Sequence, residues 1–514
     1  MNNSELFLYN PINENDSECN IWMAFPGPES FAMASLGYLW LFKKLDEMSG
    51  INAERIYQDS TSTKLRMEDI DLIAFSFSFD TDFLAIFEML KRYNIPLKFS
   101  ERSEDYPLIF AGGPVITSNP TPYSQIFDFF VLGDGEDITG KIVEVYKEFK
   151  NDSKSRILQE LSKLDGIYVP SIPRTVKKLT KRISECIYTP ILSDKSFFQN
   201  TFIIEIARGC ANRCGFCIAS YINLPFRFLP YDDIIKTIDL GLEHTNKLAL
   251  LGAQLSAHPQ FEQICDYIYE KIQNGAEIEM SVSSLRVDSI TPNILKTLIA
   301  CGQKNLTLAI ETGSERLRKV INKNLTKEQI FNATEIAKNA GLRGFKFYGM
   351  LGIPTETYDD LDEMINLAKE LKHCYKGFDI SFGFSTFVPK ANTPFQWCGR
   401  ESTKILEKKA EYIKKEMHKI GVTATVSSPK WDYWQAVLSR GDESLCDFLI
   451  EVENLGGKLG AFKQAAKKLG IDTDYYACQN WTLEQKLPWD FIDITPHKDF
   501  LIKENQRLLN IMTD

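Results

Sequence analysis

The sequence predicts an α/β protein in three parts. An N-terminal doubly wound, Rossmann-like domain comes first, a partial (β/α)6 parallel barrel second, and a mainly helical region last. Two observations carry this reading. Apolar runs alternate with helical patterns in two successive series, and near-continuous apolar strands indicate buried parallel sheets. The composition then shifts to helix from Glu401 onward. The expected boundaries are 1–150, 151–200, 201–400 and 401–514, in keeping with a prior of roughly 150 residues per domain.

In the first part the apolar runs are Asn20–Pro26, Asp71–Ser78, Pro107–Ala111 and Asp128–Leu132. Helical patterns lie between them at Phe31–Met48, Asp82–Tyr93 and Glu136–Phe149. Several runs end in glycine or proline: Phe25-Pro26-Gly27-Pro28, Gly112-Gly113-Pro114 and Gly133-Asp134-Gly135-Glu136. Loops at the carboxyl ends of such strands are where these folds bind ligands. Gly112, Gly113 and Gly133 are therefore candidate cofactor contacts, with ordinary turn chemistry as the alternative. Residues 151–200 are charged and carry Pro170, Pro173 and Pro190, as a linker or small subdomain would.

The barrel strands are expected at Phe202–Ala207, Leu248–Gly252, Glu279–Ser283, Leu306–Thr312, Phe345–Gly349 and Asp379–Phe387. Catalytic groups of such barrels sit at the carboxyl ends of the strands. Beyond the barrel, Leu406, Ala410, Ile413, Met417 and Ile420 form one apolar helix face, expected to pack against the barrel.

The composition narrows the function classes. With 59 Lys and Arg against 69 Asp and Glu, the chain is acidic, which disfavours nucleic acid as a partner. No run of 18 apolar residues occurs, so no membrane span is expected. The start, Met1 to Asn20, is polar and lacks the basic and apolar segments of a signal peptide. The expected compartment is the cytoplasm, where eleven cysteines would be reduced thiols, open to metal.

Three of those cysteines stand together in Glu205-Ile-Ala-Arg-Gly-Cys210-Ala-Asn-Arg-Cys214-Gly-Phe-Cys217, just after the first barrel strand. Iron–sulfur clusters take soft thiolate ligands, usually four. Three leave one iron open to another ligand. Structural zinc would need a fourth ligand, and no nearby His or Cys has the usual paired spacing. Unrelated buried thiols are the remaining alternative. Cys374, Cys398, Cys446 and Cys478 follow no ligand spacing and read as ordinary thiols. His258 reads as a satisfied histidine rather than a site residue.

The cysteine segment resembles the C-x3-C-x-aromatic-C signature of the radical S-adenosylmethionine (radical SAM) superfamily, with Phe216 as the aromatic. The resemblance implies a [4Fe–4S] cluster on Cys210, Cys214 and Cys217. It implies that the open iron chelates SAM, and that reduction yields methionine and a 5′-deoxyadenosyl radical. It further implies SAM contacts at Gly252, Ala253 and Gln254, at Ser283 and Arg286, at Glu311, and at Leu351 and Ile353. A flavodoxin or ferredoxin is the implied reductant.

The order of domains is similar to that of radical SAM proteins with a cobalamin-binding domain. Ser385–Trp397 and Leu487–Asp490 are similar to an uncharacterised branch of that group. The likeness implies cobalamin in the N-terminal domain, and a methyl transfer in which one SAM supplies the radical and a second the methyl. Two departures stand against a full carry-over. No histidine precedes His244, so the Asp-x-His-x-x-Gly motif of many cobalamin domains is absent. Asn392 stands where that branch more usually has histidine. Methylthiotransferases carry three cluster-binding cysteines in their N-terminal domain, and here only Cys19 and Cys186 precede Cys210. The alternatives are a cobalamin-independent radical SAM enzyme and, in another class, an iron–sulfur or zinc sensing module. The substrate is left open.

Overall fold

A computed structural model describes residues 5–12, 17–283 and 285–510. Parts of the polar start, and Ser284 within the Ser283–Asp288 segment, lie outside the described residues.

The N-terminal sheet has six strands: β1 (Cys19–Phe25), β2 (Ile51–Tyr57), β3 (Leu72–Ser76), β4 (Leu108–Gly112), β5 (Phe129–Val131) and β6 (Ile167–Tyr168). Their order is 2-1-3-4-5-6, parallel except for β6. In this topology the chain reverses its direction of growth between β1 and β3, the place where doubly wound sheets bind ligands. β1 is buried on both faces, with Ile21 opposite Ala53 on one side and Leu72 on the other. Helices α1 (Leu36–Asp46) and α3 (Ile138–Phe149) cover one face through Tyr38, Leu39, Phe42, Ile142 and Val143. Helix α2 (Phe83–Arg92) covers the other.

Two details differ from expectation. β2 was not foreseen, because its middle, Asn52 to Arg55, is polar and half-exposed at the sheet edge. The Phe31–Met48 helix is broken: one turn, Glu29–Ala32, precedes α1.

The second unit holds seven parallel strands: β7 (Phe202–Glu205), β8 (Lys247–Leu251), β9 (Glu279–Val282), β10 (Asn305–Glu311), β11 (Gly344–Leu351), β12 (Asp379–Thr386) and β13 (Thr423–Val426). β7–β9 and β10–β13 form two sheets, bridged where Leu285 pairs with Leu308. The result is an open, partial barrel. Its outer helices are α4 (Tyr231–Leu242), α5 (Phe261–Gln273), α6 (Pro292–Ala300), α7 (Lys327–Asn339), α8 (Tyr358–Cys374) and α9 (Thr403–Lys419). α7 opens on a capping box: the Thr326 hydroxyl accepts from the Gln329 N–H, and the Gln329 side chain accepts from Thr326 N–H. α9 buries Leu406, Ala410, Ile413 and Met417, the last three in the barrel core. β13 adds one strand to the six expected.

Beyond the barrel come the longer helices α10 (Pro429–Ser439), α11 (Leu445–Asn454), α12 (Leu459–Leu469) and α13 (Lys498–Asn510), with the short helix Thr473–Ala477 before the last. Trp434, Phe448 and Phe462 of α10–α12 share one core with Phe83 of α2. The N-terminal sheet's helix α2 and the helices α10–α12 are therefore packed together. The two segments that carried the branch resemblance also meet. Trp489 Nε1 donates to Gln396 Oε1 at 2.8 Å. Asn392, with φ of 60°, donates from Nδ2 to the Ser118 carbonyl at 2.8 Å, fastening the barrel's exit to the N-terminal domain.

Candidate active site

The cysteine loop leaves β7 at the barrel mouth. Gly209 has φ of +81°, and a Cβ there would stand 2.5 Å from the Asn223 carbonyl oxygen, so only glycine fits. Cys210 and Cys214 are buried and Cys217 is half-buried. Asn212 Nδ2 donates to Cys210 Sγ at 3.4 Å, and the Cys210 thiol lies 3.6 Å from Gln254 Oε1. Asn322 Nδ2 donates to the carbonyls of Asn212 and Arg213, both at 3.0 Å. The Gly215 N–H donates to the Ile321 carbonyl, and the loop's outer side is covered by Leu508 of α13 and by Phe395. Burial pushes the Cys214 thiol up to about 12 and raises Cys217 as well. Buried thiols of this kind become thiolates only when a cation takes them. Among the described residues, no three His, Cys, Asp or Glu side chains close around a single metal ion.

The strand-end residues gather beside this loop. Ser283 Oγ donates to the Gly252 carbonyl at 2.9 Å and accepts from Gly252 N–H, tying the ends of β8 and β9. Ala253 and Gln254 follow, and Gln254 reaches Cys210. Arg286 forms a two-point contact with Asp288, both bonds at 2.8 Å. Glu311 ends β10 in left-handed backbone, φ 65°, and its carboxylate is paired with Lys323 Nζ at 2.7 Å. Leu351 is wholly buried in the barrel core, while Ile353 and Phe216 share an apolar cluster with Phe395 and Leu508. His258 is satisfied: Nδ1 accepts from Gln260 N–H and Nε2 donates to the Leu229 carbonyl at 2.8 Å.

Gly112, Gly113 and Gly133 lie apart from this group, along a cavity of about 300 Å³ at the carboxyl ends of β3–β5. Its lining crosses from the N-terminal sheet to the barrel mouth, through Glu205, Arg208 and Leu251. Two of these glycines are explained by backbone packing. A Cβ on Gly113 would meet the Phe77 carbonyl oxygen at 2.5 Å, and one on Gly133 the Leu179 carbonyl oxygen at 2.2 Å. Sequence reasoning credited the glycines of this loop and passed over Asp134 and Glu136. Arg208 binds Asp134 at 2.9 Å, Glu136 at 2.6 Å and Glu205 at 2.6 Å, joining the cavity to the cysteine loop. Its place two residues before Cys210 was the available signal. Lys323, Asn322 and Leu508 were also missed, since none lies near the motifs in sequence.

Comparison with known proteins identifies the barrel. The sequence pattern described as "Radical SAM superfamily" matches residues 204–368, and that described as "Radical SAM proteins, N-terminal" matches residues 38–170. The chain belongs to the radical SAM superfamily.

As a radical SAM enzyme it carries the fold for a [4Fe–4S] cluster and SAM, and its chemistry needs an external reductant. It is 29% identical to an uncharacterised protein of Methanocaldococcus jannaschii, over 87% of this chain and 94% of that one. It is 26% identical to a tRNA-2-methylthio-N(6)-dimethylallyladenosine synthase of Thermodesulfovibrio yellowstonii, over 37% of this chain and 44% of that enzyme. Among solved structures it resembles the cobalamin-dependent S-adenosylmethionine radical enzyme OxsB, with a TM-score of 0.53 and 14% identity, over 96% of this chain and 79% of that one. That likeness shows a shared fold. No helix among the described residues is long and apolar enough to cross a membrane.

The residues fit the groups that the superfamily implies. Three soft thiols on one loop, enclosed by Leu508 and Phe395, suit a cluster held from one side. The cavity at the sheet's switch point measures about 300 Å³, and no histidine is among the residues that line it.

Proposed function

We propose that this radical SAM enzyme cleaves SAM reductively at a cluster on Cys210, Cys214 and Cys217, and modifies an unactivated carbon, by cobalamin-dependent methyl transfer. The observation that carries the second half is the shared cavity. Its wall is built from the N-terminal strand ends and from Glu205, Arg208 and Leu251 of the barrel mouth, so a group bound there faces the cluster side of the barrel. When bound, the cluster and SAM supply one-electron radical chemistry, and cobalamin a methyl carrier.

The chain's own residues do the rest. Asn212 and Gln254 would orient Cys210, and Leu508 and Phe395 would keep water from the loop. Gly252, Ala253, Gln254, Ser283, Arg286, Glu311, Leu351 and Ile353 are the proposed SAM-side residues, with Phe216 beneath the loop. Ser283 would act by fixing the Gly252 strand end, given its two bonds to it. Arg286 offers a guanidinium to a carboxylate if Asp288 releases or shares it. Gly112, Gly113 and Gly133 would border the cobalamin. A flavodoxin or ferredoxin is the proposed reductant, and the cytoplasm the proposed compartment for a chain with eleven thiols.

A cobalamin-independent reaction is the second reading. The small cavity and the lack of any histidine before His244 favour it. Anaerobic, cluster-reconstituted protein incubated with hydroxocobalamin and desalted separates the two. Retained corrinoid bands, followed by transfer of labelled methyl from SAM, support methyl transfer. A cluster that cleaves SAM without retained corrinoid supports the second reading.

A further inference from the structure

A groove of about 920 Å³ runs beside the cysteine loop and shares no lining residue with the cavity at the sheet's switch point. Part of its wall is the pair of short strands Val176–Lys177 and Ile492–Asp493, which joins the linker to the C-terminal region. Another part is the cysteine loop itself. Ala211, which follows Cys210, and Arg213, which precedes Cys214, are both exposed and both line the groove. Adjacent Cα atoms are about 3.8 Å apart, so the groove lies one residue from two of the three cysteines. The loop is braced here: the Tyr221 hydroxyl and Asn322 Nδ2 donate to the Arg213 carbonyl at 2.9 Å and 3.0 Å.

The chain has a net charge of −10, yet three cations of this groove have no carboxylate partner among the described residues. Lys177 is exposed. Lys178 is buried, and its Nζ donates to the Leu179 carbonyl at 3.0 Å and the Thr180 hydroxyl at 2.6 Å. Arg213 lies over the Phe500 ring, 5.4 Å from its centroid. Of the two carboxylates in the lining, Asp493 is 3.4 Å from His497, which leaves Asp165 alone against the three. Leu224, Pro225, Phe226 and Pro496 supply the apolar part. Apolar surface edged by charge is the anatomy of a protein interface.

We propose that this groove is the docking site of the reductant, and that the reductant is a flavodoxin. This rests on the reading of Cys210, Cys214 and Cys217 as cluster ligands. A donor must come close to those cysteines. The loop is covered at Gly215 by Leu508 and Phe395, and it meets solvent at Ala211 and Arg213. A flavodoxin is acidic and exposes the apolar edge of its flavin. Its acidic rim would meet Lys177 and Arg213, and the flavin edge Pro225 and Phe226. An acidic partner is repelled by the chain as a whole, so a local excess of cations also steers it to this face. One electron passes on docking. The anionic flavin hydroquinone becomes the neutral semiquinone, and the group on the three cysteines is reduced by one electron. No proton moves, and no bond forms or breaks in that transfer.

The test uses full-length, cluster-reconstituted protein. SAM cleavage is driven either by dithionite or by reduced flavodoxin, and calorimetry measures the affinity for oxidised flavodoxin. Lys177→Glu and His497→Glu each put negative charge into the groove. Lys376→Glu, in the exposed turn after α8, is the control. Wild-type affinity for flavodoxin should fall as salt is raised. Each groove variant should lower both that affinity and the flavodoxin-driven rate by about tenfold at low salt. Its dithionite-driven rate should stay within about twofold of wild type, since a small reductant needs no docking surface. The control should change neither. Circular dichroism and iron content identify any variant that misfolds, and the salt dependence of the wild type stands as a test without variants. Flavodoxin affinity that is unchanged in both groove variants, or a wild type served by ferredoxin and not by flavodoxin, overturns this inference alone. No SAM cleavage with dithionite by wild-type protein overturns the cluster reading and this inference together.

Discussion

Arg208 Nη2 lies 2.6 Å from Glu136 Oε1, and this contact fastens the segment entering Cys210 to the loop that follows β5. The same guanidinium also holds Asp134 and Glu205, while Arg227 holds Asp134 from the other side at 2.7 Å. Removing Arg208 leaves three half-buried carboxylates, of which only Asp134 keeps an arginine, Arg227. Arg208→Ala should destabilise the fold by about 3–5 kcal/mol. Arg208→Lys keeps the charge but not the fork of donors, and should lose less. Thermal unfolding ranks the variants, and iron content after reconstitution shows whether the cysteine loop shifts with them. Equal stability of Arg208→Ala and wild type would contradict the role given to this junction.

The same cluster sets an acid limit. Burial works to raise the Asp134 carboxyl, but Arg208, Arg227 and the Lys181 N–H outweigh it and hold it below the usual carboxylate range. A carboxyl whose folded value is depressed adds stability that is complete above its unfolded value, about 3.9, and fades as pH falls through the folded one. Asp134→Asn should therefore lower the melting temperature at neutral pH and narrow its gap from wild type as pH falls below about 4. A gap that is constant with pH would sink this attribution.

Lys323 and Glu311 are an isolated pair under the site, with side chains only 10% and 11% exposed. Glu311 holds strained, left-handed backbone at the end of β10, so the pair fixes its direction. Lys323→Met should cost about 3 kcal/mol or more, because it strands a buried carboxylate. Adding Glu311→Gln should recover part of that loss. Melting temperatures of the two singles and the double give the coupling, and strict additivity would argue against a working pair.

Leu508 is wholly buried against Gly215 and Phe395, on the outer side of the cysteine loop. Leu508→Ala should cost about 2 kcal/mol or more through the cavity it leaves. It should also admit oxygen and water to the cluster. The cluster absorbance, followed in air, should fall faster in the variant. Decay at the wild-type rate would show that α13 does not shield the loop.

Much of this fold is legible in the sequence. Strands such as β1 and β3 are apolar runs buried on both faces, and they announce themselves. The cysteine loop shows because its ligands are adjacent in sequence. β2 and β13 escaped, since their residues are half polar and only the neighbouring strand makes them regular. Arg208, Glu136, Lys323 and Leu508 escaped for another reason. Arg208 and Glu136 are 72 residues apart, and only the packing of two domains makes them a pair. Gly133 has a second reason that only the fold reveals: it allows the close approach of Leu179, whatever binds in the cavity.

The central claim is that Cys210, Cys214 and Cys217 hold a cluster that cleaves SAM. The most direct measurement incubates anaerobic, reconstituted protein with SAM and dithionite and quantifies 5′-deoxyadenosine and methionine, beside a Cys214→Ala variant. The account predicts both products from the wild type and none above background from the variant, which should also lose most of its iron. Full SAM cleavage by Cys214→Ala, or none by wild-type protein with a complete cluster, would contradict it.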